Sequence, residues 1–505
     1  MRAPAVLAID EGTTGVTCLV VERSGRVAGR AYSEFTQSFP RPGWVEHDPE
    51  EIWLTALRTA REALAAARDV EVRSVGITNQ RETVALWERE SLKPVAPAVV
   101  WQDRRTADVC ARLRAEGCEE AVRERTGLLL DPYFSATKIA WLLNSGDGRL
   151  RRRAESGDLA AGTMDTWLIA RLTDGEVHAT DPTNASRTML YGLTDRDWDP
   201  CLADLLAVPL ELLPEIRPSA GSDPAFGTTA ARHLGASLPI GGVAGDQQAA
   251  LFGQGCTRAG LAKNTYGTGA FLLLHTGRTV PKPPPGLLAT AACGPRGEKA
   301  YALEGSVLVA GAAVQWLRDA LGLIDSAGDT EAMASALPDN GGVRFVPAFT
   351  GLGAPHWEPD ARGTILGLSR GTKPAHLARA ALEAMAHGSA DVLDAMTAGG
   401  EIQLDELRVD GGAAVNSWLM QFQADLLAVP VRRPANVEST ALGAAGLAGV
   451  SAGLWSDSTD FVNAVESASA GTDLFRPTAA AASRESERRE WRRAVNAALT
   501  WARDG

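Results

Sequence analysis

Aromatic side chains make up only 6% of this 505-residue chain, no two cysteines form a C-x-x-C pair, and acidic residues outnumber basic ones. Each shortage removes a class of function. Cys18, Cys110, Cys118, Cys201, Cys256 and Cys293 are scattered without metal-ligand spacing, so they read as reduced thiols rather than as a disulfide framework or metal centre. The 50 Lys and Arg against 62 Asp and Glu leave a net charge of −12, which repels a phosphate backbone, and nucleic acid is not an expected partner. An anionic substrate must then be held locally, by backbone amides, a metal ion or a few placed bases. The longest uncharged stretch, Thr440 to Trp455, is rich in Gly, Ala and Ser and falls short of the ~20 apolar residues of a membrane span. The apolar run Ala3 to Ile9 is ended by Asp10 and Glu11, so no signal peptide and no membrane partner are expected, and the reading is cytoplasmic. No G-x-x-x-x-G-K-[ST] occurs, which excludes a P-loop, and none of the seven histidines stands in an H-E-x-x-H.

What is present is an ordinary globular composition, 45% apolar and 22% charged, long enough at ~150 residues per domain for two large domains or three smaller ones. Val6 to Ile9 reads as a strand buried on both faces, ended by the turn Gly12-Thr13-Thr14-Gly15; Cys18 to Val21 and Val27 to Tyr32 continue it as an antiparallel meander. Asp48 as N-cap and Pro49 at the first position start a helix with Trp53, Leu57, Ala60 and Leu64 on one face, and Val72 to Thr78 is a further buried strand. The pattern predicts an α/β layered domain. It recurs near the middle of the chain, where Leu261 to Thr265 lead through Gly267-Thr268-Gly269 into Phe271 to Leu274, and Leu407 to Asp410 closes on Gly411-Gly412. A boundary is expected between Gly253 and Gly260, with a ligand cleft between the two halves.

Three constellations carry chemistry. The turn at Gly12 to Gly15 can aim amides and threonine hydroxyls at phosphate oxygens, although alone it reads more readily as a plain hairpin; facing Gly267-Thr268-Gly269 across a cleft, it becomes one side of a polyphosphate clamp. Asp10 and Asp246 both end strands. Phosphoryl transfer to an alcohol needs a base and Mg²⁺, hence two carboxylates, while each Asp alone reads as a turn or cap residue. Asn79 to Glu82, Trp101 to Arg105 and Asp131 to Tyr133 suit a small polyol, but Arg81 and Glu82 equally suit a surface ion pair, and Trp101 the core.

Long segments carry a resemblance: Ile9 to Thr14, Pro42 to Pro49, Gly76 to Thr83, Asp181 to Met189, Ala244 to Ala250, Asn264 to Gly269, Gly363 to Glu383 and Asp410 to Ala413. In this order over nearly the whole length, they are similar to the FGGY carbohydrate kinases, and among them to members that act on glycerol. The resemblance implies two actin-like (ribonuclease-H-like) domains flanking a central cleft, residues 1–254 and 255–505. It implies ATP-dependent phosphorylation of glycerol to sn-glycerol 3-phosphate, with ATP and Mg²⁺ as cofactors and assembly as a homodimer or homotetramer. Arg81, Glu82, Trp101, Tyr133, Asp246, Gln247 and Phe271 match the polyol-binding set, with Asp246 as general base. Gly12, Thr13, Thr14, Thr268, Gly311, Gln315, Gly412 and Asn416 match nucleotide contacts, and Asp10 the metal-side carboxylate.

The chain also departs from the pattern. It has Glu11 where such kinases usually have Gln, and Gly15-Val16-Thr17 where Ser-Ser-Arg or Ser-Thr-Arg is usual, so a phosphate-facing arginine is missing and Lys263 or Arg105 is its candidate substitute. Ala230 to Ser237 lacks the glycine-rich basic loop of some members that bind fructose 1,6-bisphosphate. Another polyol or a pentulose stays open as the substrate.

Overall fold

The computed structural model describes residues 2–221, 225–435, 438–469 and 471–503. Two mixed sheets organise it. In the first, strands Ile240–Gly245, Val70–Asn79, Ala3–Glu11, Gly15–Glu22 and Val27–Glu34 lie side by side in that order. The three earliest strands form the antiparallel meander, and the other two join in parallel on the far side of Ala3–Glu11. The second sheet repeats this plan: Lys299–Val307, Ala270–Gly277 and Leu261–Tyr266 are antiparallel, Glu406–Asp410 and Val431–Pro434 follow in parallel, and Leu288–Cys293 and Thr472–Phe475 add one strand at each edge. The repeat inferred from the two Gly-Thr turns is therefore a repeat of sheets, and the class is mixed α/β with two actin-like units.

Burial explains the apolar strands. Successive side chains point to opposite faces, so Leu7, Ile9, Val16, Cys18 and Val20 meet helix Pro49–Ala66, while Val6, Ala8, Leu19 and Val21 meet helix Ser439–Ser451. The first helix is capped by Asp48, whose Oδ1 accepts from the Glu50 amide at 2.9 Å, with Pro49 leading it. Its deepest residues are Ile52, Ala56, Ala60 and Ala63, with Trp53 beside them; Leu57 and Leu64 are only half-buried. The small alanines face the sheet, and the leucines of the expected stripe take its flank.

The uncharged segment noted above is helix Ser439–Ser451, apolar nearly all round because it is enclosed nearly all round. Though it belongs to the second half of the sequence, it packs against the first sheet and helix Asp246–Gly253. Close approach requires glycine here: a Cβ on Gly443 would stand 1.8 Å from the Ala249 carbonyl oxygen, and one on Gly76 2.1 Å from that of Ala444. Among the described residues no helix is long and apolar enough to cross a membrane.

Gly443→Ala puts a methyl group into that backbone contact, and overpacking of this kind costs about 1 to 3 kcal/mol. Scanning calorimetry of the variant is expected to show a lower Tm than the parent; an unchanged Tm means the two helices separate without cost.

Candidate active site

Between the halves lies a cleft of about 760 Å³, walled on one side by Trp101, Tyr133 and Phe134 and on the other by Gly267 to Gly269, Phe271, Glu304 and Trp357. The turn after each sheet's first strand is a tight hairpin: the Gly12 amide donates to the Gly15 carbonyl at 2.9 Å, and the Gly267 amide to that of Gly269 at 2.8 Å. Thr268 is exposed at the tip of its turn, and its carbonyl accepts from the amides of Ala310 and Ala312, which ties the turn to helix Gly311–Asp319. Gly311 opens that helix, and Gln315 is exposed on it. Gly412 is exposed beyond Gly411, whose φ of 87° carries the chain past the Tyr266 carbonyl. Asn416 is buried; its Oδ1 caps helix Ser417–Leu427 through the Leu419 amide at 2.9 Å, and its Nδ2 donates to Thr330 Oγ1 at 3.2 Å. The structure thus brings Thr268, Gly311, Gln315 and Gly412 to the surface and leaves Asn416 below it.

Arg81 and Glu82 are buried, unlike a surface ion pair. They follow strand Val70–Asn79, and Glu82 takes φ 61°, a left-handed conformation uncommon outside glycine that sets its side chain among charges. Glu82 Oε1 accepts from Arg187 Nε at 2.6 Å. Both Arg81 terminal nitrogens donate to Glu304, Nη1 at 2.7 Å and Nη2 at 3.1 Å, and Arg187 Nη2 donates to the same carboxylate at 3.0 Å. Burial would raise the Glu304 carboxyl, but Arg187 and Arg81 hold it down at about 2. Arg81 Nε also stands 3.2 Å from Asp246 Oδ1, the most exposed carboxylate of the group. Asp246 heads helix Asp246–Gly253, and the next residue, Gln247, accepts at Oε1 from Lys263 Nζ at 2.5 Å.

Trp101 is a cleft wall rather than core: its Nε1 donates to Thr13 Oγ1 at 3.0 Å, and its ring meets Tyr133 edge-on at 5.6 Å. This aromatic wall of the cleft is thereby tied to the turn at Gly12 to Gly15. Lys138, fully buried, donates from Nζ to the Tyr133 carbonyl at 2.7 Å; burial pulls its ammonium down to about 7 against Glu82, Asp103 and Asp131.

Asp10 is the penultimate residue of strand Ala3–Glu11, and burial, Asp246 and Glu438 raise its carboxyl well above the aspartate range. Among the described residues no three His, Cys, Asp or Glu side chains converge as a metal cage. Mutually repelling carboxylates without a cage fit Mg²⁺, which is commonly held by one or two carboxylates together with water and phosphate oxygens. Thr17 is half-buried opposite Asp10 on the neighbouring strand. Arg105 does not replace the missing arginine, because its guanidinium is spent on Asp103 and Glu46 and stacks 3.8 Å over Trp44. Lys263 is fully buried, between Gln247 and Thr265.

Glu304, Arg187 and Lys138 were not singled out from the sequence. Glu304 carried a usable signal as the one charged residue between Lys299 and Arg318, since a lone acid in an apolar strand must find a partner.

Residues 5–253 match the model of the FGGY family of carbohydrate kinases, N-terminal domain, and residues 262–452 match the C-terminal domain. The chain is 52% identical to a glycerol kinase of Carboxydothermus hydrogenoformans, over 99% of each chain. It is 53% identical to a glycerol kinase of Paracidovorax citrulli, over 98% of this chain and 99% of that one. Its structure is similar to that of Plasmodium falciparum glycerol kinase with ADP, with a TM-score of 0.92 and 33% identity over 98% of each chain.

Glu11 yields a test of the site's electrostatics. It points to the face away from Asp10, fully buried; Oε1 accepts from Gln80 Nε2 at 2.7 Å and Oε2 has no partner among the described residues. Gln80 Nε2 also stands 3.4 Å from Nδ1 of His47, a ring held neutral by burial at about 4, and burial raises the Glu11 carboxyl well above the glutamate range. The folded state keeps a proton that the unfolded chain loses, so stability falls as pH rises above the ordinary glutamate range. Glu11→Gln removes this term. Melting scans are expected to give similar Tm values for both proteins near pH 4 and an advantage for the variant that widens toward pH 8; a constant difference across that range means Glu11 is already ionised.

Proposed function

The chain belongs to the FGGY family of carbohydrate kinases, and from that premise we infer that it phosphorylates glycerol with ATP, giving sn-glycerol 3-phosphate and ADP. The observation that carries this reading is the convergence of Arg81, Glu82 and Asp246 beside the Trp101 and Tyr133 wall, in a chain more than half identical to glycerol kinases over its full length. A small triol presents hydroxyls to Arg81 and to Glu82, whose Oε2 makes no hydrogen bond among the described residues, and its carbon edge to Trp101 and Phe271.

Asp246 accepts the proton of a terminal hydroxyl as that oxygen bonds to the γ-phosphorus of ATP and the bond to the β-phosphate oxygen breaks, releasing ADP. Gln247 orients the same alcohol. The turns at Gly12 to Thr14 and at Thr268 hold the phosphates, and Gly311, Gln315 and Gly412 bound the nucleoside side, with Asn416 beneath them capping helix Ser417–Leu427. Asp10 would hold Mg²⁺, which would neutralise the phosphate charge that a protein of net charge −12 otherwise repels. Residues 1–254 supply most of the polyol site and the first phosphate turn, and residues 255–505 the nucleotide site. ATP as donor suits the cytoplasm, and a homodimer or homotetramer rests on family resemblance. ADP release measured with glycerol, xylulose, ribulose and erythritol tests the substrate; turnover fastest with a pentulose overturns the glycerol reading.

Asp246→Asn is expected to leave glycerol binding near normal and to lower kcat by about 10² to 10⁴-fold, the usual range for a lost general base; near-normal turnover removes the base from this residue.

Without an arginine at position 17, the nucleotide depends on amides and metal. Thr17→Arg restores a charged donor, which is worth about 10-fold in binding at the low end of charge-assisted hydrogen bonds. The expected readout is a KM for ATP several-fold below that of the parent; an unchanged KM and kcat in folded protein places residue 17 out of reach of the phosphates.

A further inference from the structure

Glu304 is the one acidic side chain from the second sheet in the buried charge cluster that backs the polyol site. It rises from strand Lys299–Val307, 5% exposed, and meets Arg81 in a two-point pair while also accepting from Arg187. Arg81 has two other carboxylates in reach, Asp246 at 3.2 Å from Nε and Glu82 at 3.8 Å. Two-point pairing is the preferred geometry of a guanidinium with a carboxylate, so whichever acid takes Nη1 and Nη2 fixes where the plane of Arg81 points. At present Glu304 takes both, with Gln248 Oε1 sharing Nη1 at 3.3 Å, and Asp246 is left with a single contact at Nε.

We propose that Glu304 is a positioning residue for the phosphorylation reaction, holding Arg81 so that the guanidinium does not close on Asp246 and holding Arg187 so that it draws on only one oxygen of Glu82. This rests on the roles given above to Arg81, Glu82 and Asp246. Without the carboxylate at 304, Arg81 turns its paired nitrogens toward Asp246 and takes the base out of reach of the alcohol. Arg187, which already has Nη1 buried without a partner, then closes further on Glu82. Both changes strike the polyol and leave the nucleotide turns alone, because Glu304 touches neither of them.

The test is Glu304→Gln, which keeps the shape and one acceptor but removes the charge, beside Glu304→Asp, which keeps the charge at shorter reach. Folded molecules are counted by ADP binding at equilibrium. For Glu304→Gln, kcat per ADP site is expected to fall and the KM for glycerol to rise, each by about 10-fold or more, the equivalent of one charged hydrogen bond. The KM for ATP is expected to stay within about twofold, and Glu304→Asp to recover part of both losses. A role in folding alone lowers the number of ADP sites and leaves kcat per site and both KM values unchanged; that result overturns the proposal. If Glu304→Gln yields no folded protein, Glu304→Asp decides by the same split, with a parental KM for glycerol counting against. Asp246→Asn run in parallel separates the two levels: if it keeps turnover, the site reading fails, and if it is inactive while Glu304→Gln is normal, only the role of Glu304 fails.

Discussion

Two arginines and two glutamates buried together, with no net charge among them, constrain more of this molecule than any other contact. Arg81, Glu82, Arg187 and Glu304 have side chains no more than 5% exposed. Such groups are tolerable only when each is paired, since an ion stripped of water and left alone costs several kcal/mol. The pairing draws together the end of a strand in the first sheet, the segment after a short helix at Pro182–Ala185, and a strand of the second sheet. It accounts for the left-handed backbone at Glu82. Around it the halves are further stitched, with Ser186 Oγ 3.0 Å from Thr290 Oγ1 and the Ala289 amide donating to Gly127.

Much of this was legible beforehand, and the reason is local. A strand buried on both faces must read as an apolar run, an Asp-Pro pair must start a helix, and a Gly-Thr turn between strands needs no partner to be seen, so Ala3–Glu11, Pro49–Ala66 and the turns at 12 and 267 stood out. The resemblance added roles for Arg81, Asp246 and Trp101. What stayed hidden was pairwise and distant. Arg81 and Glu304 are 223 positions apart, and nothing near either residue names the other. Asn416 shows the reverse limit: its motif points to nucleotide, while in the fold its amide is occupied by a helix cap and Thr330.

The two departures at the first turn belong together. Thr17, opposite Asp10, brings no positive charge to the acids Asp10 and Asp246, and an ionised acid at Glu11 would add to their mutual repulsion from behind the strand. Keeping Glu11 in a pocket where, among the described residues, Gln80 alone donates to it, beside a neutral His47, favours the protonated form and spares the turn that charge. Gln80 also accepts from Thr83, whose hydroxyl in turn receives the Trp101 amide, so the pocket is continuous with the aromatic wall of the cleft.

The helix Ser439–Ser451 has a consequence for how the chain is made. It covers Val6, Ala8, Leu19 and Val21, and just beyond it Trp455 Nε1 donates to the Arg23 carbonyl across 432 positions of sequence. Synthesis runs at about 5 to 20 residues per second, so the first sheet emerges with that apolar face bare and waits roughly 20 to 90 seconds for its cover. Throughout that interval the nascent protein presents an open hydrophobic surface, the kind of surface that chaperones bind and that drives aggregation. A segment translated well before its cover is thus among the last to reach its native surroundings.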